Sequence, residues 1–576
     1  MSKITTFFLA VFFSLICFIK VTFGQLYEGS FHNPLYIPMF LAGNFGEIRA
    51  NHFHAGLDIK TEGVEGKIVH PSASGYISRI KVSPFGYGNV IYISHPDGFT
   101  SVYGHLQKFY GNIGRYVQNA QYKKESWEVE LFLDSSLFKV NPTDTIAYSG
   151  NSGSSLAPHL HFEIRDSKDQ SPLNPLLFGF DIKDNIPPVI SLIAIYPSGN
   201  SSSVNGSGDP LFLKAYGSNG NYKLSSSKKI SVSGQIGIGI ETIDRLNQMP
   251  NKCGAYSINL EVDGKLIYGH QINRVPFYET RYINSHIDFA EYKKNNREIQ
   301  KCFLQPNNQL NIYNDLINRG IIEFEKDTSH LISITVKDVN GNTSNIHFSI
   351  WSSTDTMTLT KRDTNISALF KYKLKNQFAT HDIRITIPEN LLYEDLNFHY
   401  SVSDTIAGAI TPTHHIQDIY TPLHSYMFVS IRIDSLKETL QKKALVVALN
   451  NDNKIIASEG GEYSNGFISF KTRSFGPYTV FLDTIPPRIK PLNISNGSIM
   501  ASKKTIDIKI TDNLSGIKFF RGEIDGKWIL MEYKPKKALL SYRFDDNKIK
   551  PGEHSFHLIV KDARENHNEY NAKFTR

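Results

Sequence analysis

Apolar and polar residues alternate in short runs along most of this chain. The run His159-Leu160-His161-Phe162-Glu163-Ile164 alternates strictly. On a strand, Leu160, Phe162 and Ile164 share one face, and His159, His161 and Glu163 share the other. Asn89–Ser94 reads as a strand that reaches a turn at Pro96-Asp97-Gly98 and returns toward Tyr103-Gly104-His105-Leu106. Signals for long amphipathic helices are scarce, with one short helix expected near Ser435–Lys443. The pattern predicts a mainly β protein.

Two passages repeat. Asp184-Asn185-Ile186-Pro187-Pro188-Val189-Ile190 is echoed by Asp483-Thr484-Ile485-Pro486-Pro487-Arg488-Ile489. Each is followed at a distance by a second shared pattern. Ile332–Asp338 with Asn342 matches Phe556–Asp562 with Asn566. The proline pairs cannot donate to a ladder and suit linkers or the first edge of a strand. The Val-Lys-Asp segments read as last strands that end in turns. Two β-sandwich-like modules are expected, over 184–350 and 483–576. They resemble the immunoglobulin-like modules of bacterial surface proteins, although no Cys–Trp–Cys signature accompanies them. Between them, 351–482 is a further strand-rich region of unassigned fold.

Length and composition agree with several folded domains. The chain has 576 residues, 40% hydrophobic and 20% charged, which exceeds one core and excludes a disordered class. Its 29 Tyr and 37 Phe favour strands. The net charge of +7 is mild for this length. No dense Lys/Arg stripe or nucleic-acid motif is present, so a nucleic-acid partner is not expected. At the start, Lys3, the apolar run Ile4–Ile19 and the small residues Thr22 and Gly24 read as a signal peptide over 1–24. An uncleaved anchor is the alternative. Cys17 follows Ile16, where a lipid-attachment site wants a small residue. No later stretch reaches the ~20 apolar residues of a spanning helix. The mature protein is therefore expected outside the cytoplasm, in the periplasm or cell envelope, or secreted. Cys253 and Cys302 then remain, and an oxidising compartment would permit them to pair.

The chemistry concentrates in residues 41–180. His54-Ala55-Gly56-Leu57-Asp58 puts an imidazole and a carboxylate where extended chain points both the same way. The pair His159 and His161 suits one metal ligand and one proton-transfer group. A catalytic zinc site wants three protein ligands and an open fourth position. His54, Asp58 and one histidine of the 159/161 pair would supply that shell. The other histidine and His105 would remain as titratable groups. No His-Glu-x-x-His helix occurs.

The ordered motifs of this region resemble the lysostaphin/LytM family of zinc endopeptidases. They are Gly43–Arg49 leading into His54-x-Gly56-x-Asp58, Pro71–Ile77, Gly86-Tyr87-Gly88-Asn89 before Tyr103-Gly104-His105-Leu106, and Ser149-Gly150-Asn151-Ser152-Gly153 before Pro158–Glu163. The resemblance implies an antiparallel β catalytic domain over 25–183 that binds Zn2+ and cuts peptide cross-links of peptidoglycan. It assigns His54, Asp58 and His161 as metal ligands, His159 as general base, and His105 as the group that polarises the scissile carbonyl. The downstream modules would bind cell-wall or envelope components. A catalytically silent envelope protein that regulates another cell-wall hydrolase is the competing expectation. Two departures stand out: an unusually long stretch at Tyr110–Leu137, and Lys139–Asp144 in place of a glycine-bearing turn. Glu163 is expected either to orient the site or to be a plain surface carboxylate.

Overall fold

A computed structural model of the chain describes residues 31–225, 228–324, 327–353, 365–433, 435–544 and 548–576. The expected leader over 1–24, with Cys17, lies outside the described residues. The chain is mainly β, as its alternation predicts. Among the described residues no helix is long and apolar enough to cross a membrane.

The N-terminal domain is built on one antiparallel sheet. Its principal strands are β1 (Leu41–Gly43), β2 (Leu57–Lys60), β3 (Gly75–Val82), β4 (Asn89–Ser94), β5 (Phe99–Leu106), β6 (Val129–Phe132) and β7 (His159–Asp166). They lie side by side in the order β1-β2-β7-β5-β4-β3-β6. The alternation in β7 does what it predicts. Leu160, Phe162 and Ile164 are fully buried in the main core with Leu57, Ile59, Ile91 and Tyr103. His159, His161 and Glu163 take the opposite face.

The long stretch after His105 holds α1 (Gly111–Lys124), the longest helix among the described residues. Ile113 and Val117, four residues apart, face the core, and Lys123 and Lys124 complement the carbonyl end. The chain then adds β6 to the free edge of β3. The Lys139–Asp144 turn closes without glycine, because the Asp144 carboxylate accepts the Asn141 amide proton at 2.7 Å.

The first downstream module is a ten-stranded sheet that contains β8 (Val189–Val204), β9 (Ser231–Ile243), β10 (Ser257–Val262), β11 (Ser329–Lys337) and β12 (Thr343–Ser353). It is one sheet curled on itself rather than two stacked sheets. β9 pairs with β8 along most of its length and also with the end of β12. Irregularities in β8 near Ile190 and between Ser198 and Ser203 bend the long strands enough to allow this. The next module packs two five-stranded sheets around Ile385, Val429, Val446 and Val480. The helix expected near 435–443 is a single turn, Glu438–Gln441. The last module packs a four-stranded and a five-stranded sheet, with Ile506, Ile508 and Ile510 meeting Phe556, Leu558 and Val560.

Cys253 is buried in the N-terminal core and Cys302 in that of the first module, and both are free thiols. The two cores are separate, so the two thiols do not pair.

Among the contacts that tie the N-terminal domain to the rest, two seams stand out. At one, Phe45, Ile48 and Phe53 share a small core with Ile272, Tyr282, Ile283 and Ile312 of the first module and Tyr393 of the next. At the other, Tyr122 near the end of α1 meets Trp528 of the last module edge to face, with ring centroids 5.3 Å apart. Arg521 pairs with Glu125 there at 2.7 Å.

Candidate functional site

Strand register brings the distant histidines and carboxylate together. His161 sits directly opposite Asp58 on one neighbour, β2, and opposite Gly104 on the other, β5. Residues that face each other across an antiparallel pair project to the same side. Asp58 and His161, 103 residues apart in sequence, therefore meet at 2.9 Å between Oδ1 and Nδ1. His54 lies just before β2, and Gly56 lets the chain pass close to β7. A Cβ at Gly56 would sit 2.3 Å from the Phe162 carbonyl oxygen.

Three atoms converge. His54 Nε2 lies 3.1 Å from Asp58 Oδ1 and 3.2 Å from His161 Nδ1. All three residues are buried. Their outer hydrogen bonds fix which nitrogens carry protons. His54 Nδ1 donates to the Asn44 carbonyl at 2.7 Å, and His161 Nε2 donates to Glu163 Oε1 at 2.8 Å. The two inward nitrogens are thus bare lone pairs, and they face each other and a carboxylate oxygen. Such an arrangement is repulsive unless a cation stands among them. Zn2+ bound at ~2.0–2.1 Å in tetrahedral geometry spaces its ligands by roughly 3.3 Å, close to the three distances here. The donor set and its spacing fit zinc. Without a metal the same deficit falls on a proton. Burial opposes charge on His161, yet Asp58 and Glu163 on either side hold it up to about 9.

The supports behind these atoms are extensive. Asp58 Oδ2 accepts from Arg49 at 2.7 Å. Burial would raise the Asp58 carboxyl, but His54 and then His159 and His161 beside it keep it well below the usual range. Glu163 is fully buried and accepts from Tyr87 Oη at 2.5 Å, His161 Nε2 and Arg165 Nε at 2.6 Å. Burial opposes its charge as well, but Arg165 and then His161 hold it down to about 2. Glu163 therefore orients His161 and is not a surface carboxylate.

His159 and His105 stand at the rim. His159 Nδ1 donates to the Ala157 carbonyl at 2.9 Å, leaving Nε2 turned toward Asp58 Oδ1 at 3.2 Å. His105 Nδ1 donates to the Ser152 carbonyl at 2.9 Å. The rings of His105 and His159 are 4.8 Å apart. Burial, then the neighbouring His161 and His159, push the His105 pKa down to about 3, so the ring is neutral. His105 has φ 57°, and the pairing between β4 and β5 slips by one residue around it. This bulge with left-handed backbone swings the side chain toward the site. The loops of the two glycine-bearing motifs pack against each other beside it. A Cβ at Gly153 would lie 2.3 Å from the Gly88 nitrogen.

All five residues singled out in the sequence share this one pocket. Five other histidines lie outside this set, each with a partner of its own. His52 bonds the Ala50 carbonyl, His70 the Asp144 carbonyl, His95 Ser74 and Ser101, His414 Tyr400, and His415 Ser403. Sequence reasoning did not single out Arg49, Tyr87 and Arg165 as supports. The alternation that placed Glu163 on the histidine face was the only signal for that network. It also missed Asn44, whose side chain exchanges hydrogen bonds with Gly254 of the first module at 2.9 and 2.7 Å.

Residues 52–122 match the model of peptidase family M23, and residues 367–483 match that of a Zu5-like domain. The DD-carboxypeptidase/endopeptidase Mpg of Neisseria meningitidis serogroup B is 31% identical over 123 residues, which is 21% of this chain and 22% of that protein. Its counterpart from Neisseria gonorrhoeae gives the same figures. The match thus spans about a fifth of the length of these curated relatives. Among solved structures, the catalytic domain of the prophage-encoded M23 protein EnpA from Enterococcus faecalis is 21% identical with a TM-score of 0.20, covering 26% of this chain and 96% of that one. The catalytic domain of lysostaphin from Staphylococcus simulans is 23% identical with a TM-score of 0.18, covering 24% and 91%.

Proposed function

We propose, from an N-terminal domain of the LytM type within peptidase family M23, that the chain is an exported zinc endopeptidase cutting peptide cross-links of peptidoglycan. The observation that carries this reading is the convergence of three bare acceptor atoms, His54 Nε2, Asp58 Oδ1 and His161 Nδ1, at 2.9 to 3.2 Å. The peptidoglycan substrate is supported by the likeness to the Mpg enzymes. Export is supported by the apolar leader at the start of the sequence.

His54, Asp58 and His161 would hold the metal. Zinc, when bound, supplies Lewis acidity for the scissile carbonyl and for the attacking water. The rest belongs to the chain. His159 Nε2 is turned into the pocket, and in the tautomer with its proton on Nδ1 it is placed to take the proton that water gives up. His105 offers a bare Nε2 in its neutral tautomer. It donates to a developing oxyanion only after it takes up a proton there. Asp58 stays ionised, tied to Arg49, and Glu163 keeps the His161 proton on the outer nitrogen.

The test is digestion of sacculi by the purified zinc-loaded chain, followed by mass spectrometry of the muropeptides. New peptide termini are expected, lost with chelator and in His161→Ala. Unchanged muropeptides from a chain that carries one zinc would sink the hydrolase and favour the silent regulator.

A further inference from the structure

The repeated Asp-x-x-Pro-Pro and Val-Lys-Asp passages play no part in the site described above, yet they occupy matching places. Asp184 and Asp338 meet Asp244 at the start of the first module, and one oxygen from each lies within 4.8 Å of the others. Asp483 and Asp562 meet Asp512 in the same way at the start of the last module. The matching asparagines complete the likeness. Asn342 Nδ2 bonds Asp338 Oδ2 and the Asp184 carbonyl, as Asn566 Nδ2 bonds Asp562 Oδ2 and the Asp483 carbonyl. Two modules so unlike in sheet topology have kept one arrangement of three carboxylates.

In each cluster one carboxylate lacks a counterpart. Asp244 is 2% exposed, and its buried Oδ1 has no hydrogen-bond partner. Burial, then the like charges of Asp338 and Asp184, push its carboxyl up to about 8. Oδ1 of Asp512 is likewise buried and without a partner, while its Oδ2 accepts from the amides of Leu514 and Gly516. A buried, unpaired carboxylate beside two others is costly unless a cation fills the gap.

We propose that these two junctions are calcium sites, with Asp184, Asp244 and Asp338 holding one ion and Asp483, Asp512 and Asp562 the other. An all-oxygen, carboxylate-rich set selects a hard cation over zinc. Oxygens on one Ca2+, bound at 2.3–2.6 Å, lie at most about 5 Å apart, and Ca2+ accepts irregular shells that Mg2+ resists. The first site differs from the second in its nearby charge. Arg564 stands near Asp483 and Asp562, which favour its charge. The charges acting on Asp244 are all negative. The first site should therefore bind more tightly. It also bears on the zinc pocket. Asp244 pairs with Cys253 through both backbone hydrogen bonds, at 2.8 and 2.9 Å. The next residue is Gly254, which clasps Asn44.

The test is calorimetric Ca2+ titration of the zinc-loaded chain after EGTA treatment, with Mg2+ titrated in parallel. Two Ca2+ per chain are expected, with affinities in the range of about 10⁻⁴–10⁻³ M or tighter, and a higher thermal midpoint. Asp244→Asn and Asp512→Asn should each leave one, and the double variant none, with zinc content unchanged in Asp512→Asn. Should Asp244→Asn fail to fold, Asp184→Asn replaces it. No Ca2+ uptake by the wild-type chain overturns the proposal, as does uptake that neither substitution reduces. A Mg2+ affinity equal to that for Ca2+ overturns the choice of ion.

Discussion

The two walls of the zinc-type pocket are held in different ways. Asp58 and His161 belong to neighbouring strands, and their meeting follows from the register of β2 against β7. The side chains that hold that wall, Arg49, Glu163, Tyr87 and Arg165, come from the N-terminal domain, with Phe277 of the first module touching it only behind Arg165, at 4.6 Å. His54 lies in a connecting segment instead. Its Nδ1 leans on the Asn44 carbonyl, and Asn44 in turn is held by Gly254, 210 residues further on. The Phe53 amide donates to Thr280 at 2.8 Å, and Asn51 accepts from Asn284 at 3.0 Å. The difference teaches that a metal site can be half intrinsic to a sheet and half borrowed from a neighbouring module.

The largest effect expected is on the intrinsic wall. His161→Ala should abolish both zinc retention and hydrolysis, read by metal analysis and muropeptide release. Glu163→Gln keeps the shape but weakens the hold on the His161 proton, and should cost about 10–100-fold in zinc affinity by competition with a chelating dye. The borrowed wall is tested next. A Cβ at Gly254 would lie 2.9 Å from the Glu47 Cα, so Gly254→Ala must push the segment that leads to His54. A loss of about 1–3 kcal/mol in stability is expected, together with weaker zinc binding. Unaltered zinc affinity in this variant would break the comparison, because His54 would then need nothing from the module. Asn44→Ala strands the partners of two hydrogen bonds and should cost about 1–2 kcal/mol in urea unfolding. The smallest effect is expected at the other seam. Trp528→Ala should lower stability by about 1 kcal/mol and leave zinc affinity untouched.

Much of the pocket could be read before any coordinates. The alternation from His159 to Ile164 fixed which residues share a face, and that face is the one that carries the site. The sequence could not reveal register, because nothing in Leu57–Lys60 or His159–Asp166 says that position 58 faces position 161. The helix Gly111–Lys124 was missed for a physical reason. Its apolar stripe is only Ile113 and Val117, diluted by Gly111, Asn112 and Gly114. It gains its place by packing on the sheet. The repeated aspartates were visible as linker and strand-end motifs; Asp244 and Asp512 also share Ile-x-Ile-x-x-x-Asp-x-Leu, over 238–246 and 506–514, but that alternation reads as a plain strand and became meaningful only once folded. The Tyr110–Leu137 stretch, open to reading as a lid, lies beyond the opposite edge of the sheet from β1, with β5, β4 and β3 between β7 and the strand it adds.

That stretch has a consequence for movement. By touching Trp528 through Tyr122, it closes the chain into a ring whose last module rests on its first. The latch includes one aromatic pair, Lys548 over the Tyr122 ring and one ion pair that is part-exposed. Contacts of these kinds are each worth only about 0–2 kcal/mol, so the seam is a light one. A chain closed by so light a clasp is built to open there first.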